Sequence, residues 1–91
     1  MDTNDVKIFE SVAEHQSFTK AAKSMFTVQS NVTARIKSLE EEFGAELFDR
    51  DSRRIGLTPS GEILMRYCKQ IGQLLDEAKS SIKNRELLPG R

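Results

Sequence analysis

Three polar side chains, Gln29, Ser30 and Thr33, lie at the start of a segment with helical periodicity. The amide of a glutamine can form two hydrogen bonds with adenine, and a hydroxyl can bond several base edges or contact a thymine methyl group. The N-terminus of a helix also favours a phosphate, because of its free N–H groups and its dipole. These residue types at this spacing suit a surface that binds nucleic acid. They suit a merely solvated helix face equally well, and spacing alone does not decide between the two.

The rest of the sequence offers no pattern for catalysis or metal binding. His15 has no Cys or His partner at metal-ligand spacing, so we expect a surface or capping role for it. A glycine-rich phosphate loop and a Ser/His/Asp arrangement are both absent, so we predict no enzymatic activity and no cofactor. The single cysteine, Cys68, cannot form an internal disulfide, which fits a reducing cytosol.

The charges of the chain are separated along the sequence. There are 14 basic and 14 acidic residues among 91, so the formal net charge is zero. The window 17–39 nevertheless has four basic residues and no acidic one, whereas residues 40–49 contain five acidic residues and no basic one. Exposed charges are screened over about 8–10 Å, so a phosphate responds to the local charge more than to the total. The window 17–39 is therefore suited to an anionic partner, and we expect the acidic block to face away from it.

The length predicts one domain with a modest core, which a dimer interface would help to stabilise. A hydrophobic content of 37% and a charged content of 31% are ordinary for a soluble helical domain. No apolar run approaches the roughly 18 residues of a membrane span. The acidic N-terminus also lacks the basic and apolar regions of a signal peptide. We therefore expect a cytoplasmic protein without membrane contact.

Apolar spacing predicts three helices in the first half of the chain. The first covers residues 4–16, the second 18–25 and the third 28–43, with Gly44 suited to end the third. A tight turn at 26–28 joins the second helix to the third, which makes a helix-turn-helix. The third helix has one apolar stripe, which we expect to be core: Val28, Val32, Ile36, Leu39 and Phe43.

A hairpin and a long helix are predicted for the second half. Short apolar pieces flank a charged tip within residues 47–58, and Thr58-Pro59 is a strong helix start. The following helix would have about 25 residues and a length of roughly 37 Å. The residues Leu87-Leu88-Pro89-Gly90 would end it. Its apolar residues recur at alternating spacings of four and three, which predicts an exposed seam that needs something to pack on. The seam consists of Leu64, Cys68, Ile71, Leu75, Ala78 and Ile82.

Taken in order, these residues resemble the N-terminal domain of LysR-type transcriptional regulators. The matching positions are Phe9, Val12, Ala13, Glu14, Ser17, Phe18, Ala21, Ala22, Gln29, Val32, Thr33, Ile36, Leu39, Glu40, Gly44, Leu47, Phe48, Arg50, Arg53, Leu57, Thr58 and Gly61. The resemblance implies a mainly α fold: a winged helix-turn-helix with a three-helix core and a two-stranded wing, followed by a long C-terminal linker helix that dimerises. It divides the chain into a DNA-binding domain at 1–58, a linker helix at 59–88 and a tail at 89–91. The effector-binding domain of the family is absent from these 91 residues.

The resemblance also places the recognition helix, 28–43, in the major groove of double-stranded DNA. The expected base contacts are Gln29, Ser30, Asn31, Thr33 and Ala34. Contacts to the DNA backbone are expected from Ser17, Thr19, Lys23, Thr27, Arg35, Lys37 and the wing residues Arg53 and Arg54. Arg35 lies at the edge of the apolar arc and could instead pair within the protein, and Arg50 is expected in a structural salt bridge. Val28, Asn31 and Ala34 depart from the usual residues of the family at their positions.

The sequence thus predicts a homodimeric, sequence-specific DNA-binding regulator of bacterial transcription, located in the cytoplasm on the nucleoid. In a full-length protein, the expected partners extend to a tetramer of the chain and to RNA polymerase. The alternative is a winged-helix module that binds other proteins, because a fold alone does not determine function. The acid-free window and the wing arginines favour DNA.

Overall fold

The computed structural model describes residues 1–51 and 53–85, and its first element is helix α1 at Thr3–His15. Asp2 is the N-cap, and its carboxylate accepts a hydrogen bond from the Asp5 N–H at 2.8 Å. The Asp5 carboxylate accepts from the Asp2 N–H in return, so the two residues satisfy donors that a helix start otherwise leaves unpaired. The predicted first helix and its cap are confirmed.

Two further helices complete the helix-turn-helix. Helix α2 covers Phe18–Ser24, and its N-cap Ser17 accepts a hydrogen bond from the Lys20 N–H. Helix α3 covers Gln29–Phe43 and ends at Gly44, whose φ of +65° lies in the left-handed region that glycine adopts at little cost. The predicted order of helix, turn and helix is confirmed, with boundaries that differ by one residue.

The hydrophobic core forms where the three helices meet the wing and the start of the last helix. Phe9 packs against Phe48 of the wing with ring centroids 5.2 Å apart, and Phe18 lies edge-on to Phe48 at 6.1 Å. Each fully buried side chain of this size contributes about 1.5–3 kcal/mol. The buried residues are Val6, Ile8, Phe9, Val12, Ala21, Ala22, Val32, Ile36, Leu39, Leu47, Phe48, Leu64 and Cys68.

Two residues predicted to be core are exposed. Val28 is 64% exposed because it is the N-cap of α3, where the extended backbone precedes the first helical turn and turns the side chain away from the stripe. Phe43 is 47% exposed because it lies in the last turn, beyond the point where the other helices cover α3. The buried part of the stripe is therefore limited to Val32, Ile36 and Leu39.

The predicted wing is present as a short antiparallel hairpin. Strand β1 at Phe48–Asp49 pairs with strand β2 at Gly56–Leu57, so that Phe48 lies opposite Leu57. The hairpin is tied back to the helices, because the Ile55 N–H donates to the Gln16 carbonyl at 3.3 Å. The wing is thereby held beside the beginning of α2.

Helix α4 covers Pro59–Lys83 and begins at the expected residues. The Thr58 hydroxyl accepts from the Gly61 N–H at 3.0 Å and donates to the Glu46 carbonyl at 2.6 Å, so it caps the helix and anchors its start to the chain before β1. A Cβ at Gly61 would overlap the carbonyl oxygen of Leu47, so glycine permits this close approach. Leu87 and Leu88, where the sequence predicted the helix to end, lie outside the described residues.

The seam predicted on α4 is divided between the core and the surface. Leu64 and Cys68 are buried in the core of their own chain, so the prediction that they belong to a dimer interface is wrong. Both belong to the same core cluster as the buried residues of α1, because the first turns of α4 complete the three-helix core. The later members Ile71, Leu75 and Ile82 are exposed, as is every residue from 73 to 85. Within the described ranges, no helix has the length and apolar character needed to cross a membrane.

Candidate nucleic-acid interface

The first turns of α3 present polar groups to solvent while the opposite face is buried. Val32 and Ile36 are completely covered by the other helices. The predicted base-contacting residues are all exposed on the remaining face: Gln29, Ser30, Asn31, Thr33 and Ala34. The helix thus has a buried apolar face and an exposed polar face, and the exposed face contains the residues that the sequence predicted to contact bases.

Hydrogen bonds hold two of these side chains before any ligand binds. The Thr19 hydroxyl donates to Oε1 of Gln29 at 3.1 Å, and Nδ2 of Asn31 donates to the Thr27 hydroxyl at 3.1 Å. An amide oxygen has two lone pairs. Gln29 can therefore keep its bond to Thr19 and still accept from adenine N6, while its Nε2 donates to N7. Thr19 acts in this arrangement by orienting Gln29.

Some of the residues predicted to contact phosphate are exposed, and others already form a hydrogen bond or an ion pair within the protein. Lys23 and Lys37 are both exposed, and Lys37 lies one turn after Thr33 on the polar face of α3. Ser17 caps α2, which was the alternative role for its hydroxyl. Arg35 forms an ion pair with the Asp5 carboxylate at 2.9 Å and lies 3.7 Å from Asp2, so its guanidinium links α3 to α1. This geometry favours the intramolecular role of the two that the sequence left open for Arg35.

A polar cleft of about 460 Å³ lies between the end of α1, the start of α2 and the wing. Lys20 joins the wing residues Arg53 and Arg54 in its walls, together with His15, Gln16 and Ser17. The His15 ring nitrogen Nδ1 lies 2.8 Å from the Ser11 carbonyl, which agrees with the surface role expected for it. The sequence did not single out Lys20 as a contact, although its place in the acid-free window was a signal for it.

The acidic end of α3 is used to build the domain. Oε2 of Glu40 accepts from the Leu47 N–H at 2.8 Å, and Oε1 accepts from the Arg50 guanidinium at 3.0 Å. Burial disfavours the charged form of Glu40, but the bonds from Arg50 and the Leu47 N–H outweigh this and hold the pKa of its carboxyl below the usual value. The Arg50 guanidinium also lies over the ring of Phe18 at 5.3 Å. The structural salt bridge expected for Arg50 is confirmed.

Glu42 pairs with the N-terminal ammonium of Met1 at 3.1 Å, at the same end of α3. Cations on neighbouring parts of the chain thus neutralise two of the glutamates. The acidic block therefore lies at the end of α3 opposite to Gln29. The expectation that this block faces away from the polar surface agrees with this placement.

The exposed side of α4 carries an apolar stripe, of which the predicted seam contained only a part. Together with Met1, Phe43 and Leu47, this side of α4 encloses a groove of about 440 Å³. The exposed apolar residues of the helix are Ile63, Tyr67, Ile71, Leu74, Leu75 and Ile82. The first four of these are spaced by four, four and three residues, which is a helical periodicity. The sequence prediction followed the overlapping seam that begins at Leu64 instead.

The cysteine on α4 is part of the hydrophobic core. Burial raises the pKa of the Cys68 thiol to about 11, so this thiol stays protonated and packs as an apolar group. Within residues 1–51 and 53–85, no three His, Cys, Asp or Glu side chains are arranged to hold a metal ion.

Comparison with known proteins gives a consistent result. The family model described as "Bacterial regulatory helix-turn-helix protein, lysR family" matches residues 3–62. The chain is 47% identical over 83 residues to the HTH-type transcriptional regulator YofA of Bacillus subtilis (strain 168), covering 91% of this chain and 29% of that protein. It is 40% identical over 90 residues to CzcR of the same organism, covering 99% of this chain and 31% of that protein.

Solved structures resemble the fold over at least 94% of the chain. The BenM_DBD/benA site 1 DNA complex has a TM-score of 0.88 at 33% identity and covers both chains completely. The CbnR_DBD-DNA complex has a TM-score of 0.86 at 27% identity, over 94% of this chain and 99% of that one. The chain spans less than a third of the length of the curated relatives it matches. It belongs to the lysR family of bacterial regulatory helix-turn-helix proteins.

Proposed function

We propose that these 91 residues are the DNA-binding part of a transcriptional regulator that recognises a specific double-stranded sequence. The observation that carries this proposal is the polar face at the start of α3. Its hydrogen-bonding side chains are exposed, in a sequence window that contains no acidic residue, while the opposite face packs into the core. The family to which the chain belongs and the titles of the similar DNA complexes support the same conclusion.

In this mechanism, α3 enters the major groove with its N-terminus directed at the bases. Gln29 pairs with adenine, and Ser30, Asn31, Thr33 and Ala34 contact neighbouring base edges or methyl groups. Lys23, Lys37 and the polar cleft beside the wing bind phosphates, which fix the register of the protein but do not read sequence. Arg53 and Arg54 of the wing contact the flanking backbone or minor groove. Ser17, Thr19 and Thr27 act mainly by positioning these groups.

A homodimer would bring two such surfaces to one DNA site. We infer that the exposed stripe of α4, from Ile63 and Tyr67 to Leu75, Ala78 and Ile82, packs against a second copy. A two-fold axis would give the protein dimer the same symmetry as a DNA site that is an imperfect palindrome. The division into 1–58 and 59–88 then needs one amendment, since Leu64 and Cys68 of the linker helix pack into the first unit.

The dimer proposal is tested by the oligomeric state. Replacing Ile71 and Leu75 with Glu should give a monomer by light scattering, because two buried charges would face each other across the two-fold axis. A matched control replaces Gln73 and Ser80 with Glu. These positions are about 160–180° around the helix from Ile71 and should leave the mass of the dimer unchanged. A dimeric double-Glu variant at 71 and 75 would contradict this assignment.

We expect the remaining properties of the protein to follow from DNA binding. A bacterial regulator acts on the nucleoid in the cytoplasm, without membrane contact. The effector-binding domain lies in a part of the full-length protein beyond these residues, where a tetramer and contact with RNA polymerase would also arise. The relatives are transcriptional regulators, and we propose no catalytic activity and no cofactor for this chain.

The rival function is a winged-helix module that binds another protein. The two are distinguished by selecting duplexes from a random library and measuring affinity by anisotropy at different salt concentrations. A protein that contacts 6–10 phosphates loses about 10³–10⁵ in affinity between about 50 and 200 mM salt. We expect a loss on this scale for the dimer. An affinity that hardly changes with salt would count against phosphate contacts and favour the rival.

A further inference from the structure

The turn between α2 and α3 is a Schellman motif with an unusual residue at its centre. The Thr27 N–H donates to the Ala22 carbonyl at 3.0 Å, and the Phe26 N–H donates to the Lys23 carbonyl at 3.2 Å. These bonds satisfy carbonyls that the end of α2 leaves unpaired. The motif requires a residue in the left-handed region immediately after the C-cap, and Phe26 occupies this position with φ of +56°.

Phe26 is a poor choice for the turn itself. A left-handed conformation brings the Cβ close to the backbone, so glycine and sometimes asparagine are the usual residues at this position. A bulky residue there is a genuine outlier. The phenyl ring also gives nothing to the core, because Phe26 is 97% exposed. Neither the turn nor the packing accounts for a phenylalanine, and strain of this kind often accompanies a functional site.

Val28, two residues later, is also an exposed apolar residue at a position where another residue type is usual. It is the N-cap of α3, a position where Ser, Thr, Asp or Asn would accept a hydrogen bond from the helix, and its side chain makes no such bond. Val28 is also largely exposed, whereas Thr27 between the two is partly buried and bonded to Asn31. Two exposed apolar side chains therefore lie just before Gln29, the first residue of the recognition helix.

We propose that Phe26 and Val28 form an apolar contact with the methyl group of a thymine at the edge of the bound site. This inference rests on the DNA-binding function proposed above. The C5-methyl group of thymine is the main apolar feature of the major groove, and phenylalanine is among the side chains that contact it. The contact gives the protein a preference for thymine over cytosine at a position that the hydrogen-bonding residues of α3 do not read.

The surroundings of the pair favour DNA over a protein as its partner. Lys23 belongs to the same turn, Gln29 follows Val28 directly, and no acidic residue occurs from 17 to 39. DNA offers a partner for each of these groups: a phosphate for the cation, base edges for the amide and a thymine methyl group for the apolar side chains. Phe26 precedes Gln29 by only three residues, so a DNA duplex that contacts the start of α3 would pass close to Phe26.

The test combines a change in the DNA with a change in the protein. Each thymine of the selected duplex is replaced in turn by deoxyuridine, which removes only the methyl group. We expect wild-type protein to lose about fourfold in affinity at one thymine in each half-site, the equivalent of one buried methylene. Phe26→Asn should bind the thymine duplex more weakly and should no longer distinguish it from the deoxyuridine duplex. Phe26→Tyr retains the ring and should retain the discrimination.

The thermal midpoint supplies an independent control, measured at one protein concentration. Phe26→Asn and Phe26→Gly suit the left-handed position, so both should melt at the wild-type temperature or above it while binding DNA less tightly. Suppose that wild-type protein binds the selected duplex specifically, but that each deoxyuridine substitution lowers its affinity by the same factor as the affinity of Phe26→Asn. The thymine contact is then refuted and the proposed function stands. If wild-type protein shows no salt-dependent duplex binding, the proposed function itself fails. A Phe26→Asn variant that binds the thymine duplex as tightly as wild type would also refute the contact.

Discussion

The two ends of α3 belong to one helix but are held by different interactions. The C-terminal end is tied down, with Glu40 bonded to the Leu47 N–H and to Arg50, and Glu42 paired with the N-terminus. The N-terminal end carries Gln29 and Asn31, whose side chains form hydrogen bonds with the hydroxyls of Thr19 and Thr27. One end fixes the position of the helix in the domain, and the other presents groups that a ligand can engage. Substitutions at the two ends should therefore affect different measurements.

The largest effect on stability is expected at the tied end. Glu40→Ala would remove the acceptor of the partly buried Leu47 N–H and of the partly exposed Arg50 guanidinium, at a cost of about 1–3 kcal/mol. For a domain of this size, each kcal/mol lowers the melting temperature by about 4–8 °C. Thermal denaturation measures the change, and Glu41→Ala, an exposed neighbour, should change stability by less than about 0.5 kcal/mol. Equal stability of the two variants would remove the proposed difference between the ends.

Gln29→Ala should have the opposite profile. It should leave the melting temperature unchanged and reduce discrimination at one base position by about 1–3 kcal/mol, because the bidentate pair with adenine is lost. Competition between the selected duplex and single-base variants measures this. Gln73→Ala on α4 is a control that removes the same exposed side chain far from α3. Equal losses on selected and random DNA would argue against base readout by Gln29.

Arg35 and Lys37 offer a finer comparison of two cations on the same helix. Arg35→Gln breaks the ion pair with Asp5, which for a partly exposed pair should cost up to about 1 kcal/mol of stability. Lys37→Gln should leave stability intact and reduce the salt dependence of DNA binding by about one phosphate contact. Melting curves and affinity against salt concentration test both. A lower salt dependence for Arg35→Gln would show that this guanidinium leaves Asp5 to bind phosphate.

The smallest expected effect is a contribution of Glu40 to the acid sensitivity of the fold. Its pKa is below the usual value in the folded chain, so the unfolded chain binds its proton more readily. The stabilisation is present in full above the unfolded pKa, near 4.5, and is lost as the pH falls through the lower folded value. Denaturant titrations between neutral pH and pH 3 should show a smaller acid loss in Glu40→Gln than in wild type. Parallel curves would mean that Glu40 does not contribute to this loss.

Sequence patterns were sufficient to predict the elements because each one carries local signals. The hydroxyl of Thr58 before Pro59 marked the start of α4, and Gly44 marked the end of α3. The polar side chains of α3 were also recognisable, since a buried stripe at helical spacing places the intervening residues outside. The roles of these side chains in DNA binding remain predictions.

Burial at the ends of elements could not be derived in the same way. Val28 continues the apolar spacing of α3 but precedes its first turn, so helical geometry does not apply to it. Leu64 and Cys68 fit a regular seam, yet which part of a long helix meets its own core depends on how α4 leaves the wing. The exposure of Phe26 depends likewise on the conformation of a single residue.

The placement of the N-terminal end of α3 in the major groove is tested most directly by chemical cleavage. Cys68 is buried and its thiol is protonated, so an iron chelate can be attached selectively to a cysteine introduced at Ser30 or at Glu41. With the selected duplex, the probe at Ser30→Cys should cut within each half-site, and the probe at Glu41→Cys should cut weakly or outside it. Equal cleavage from both positions, or stronger cleavage from Glu41→Cys, would contradict the account.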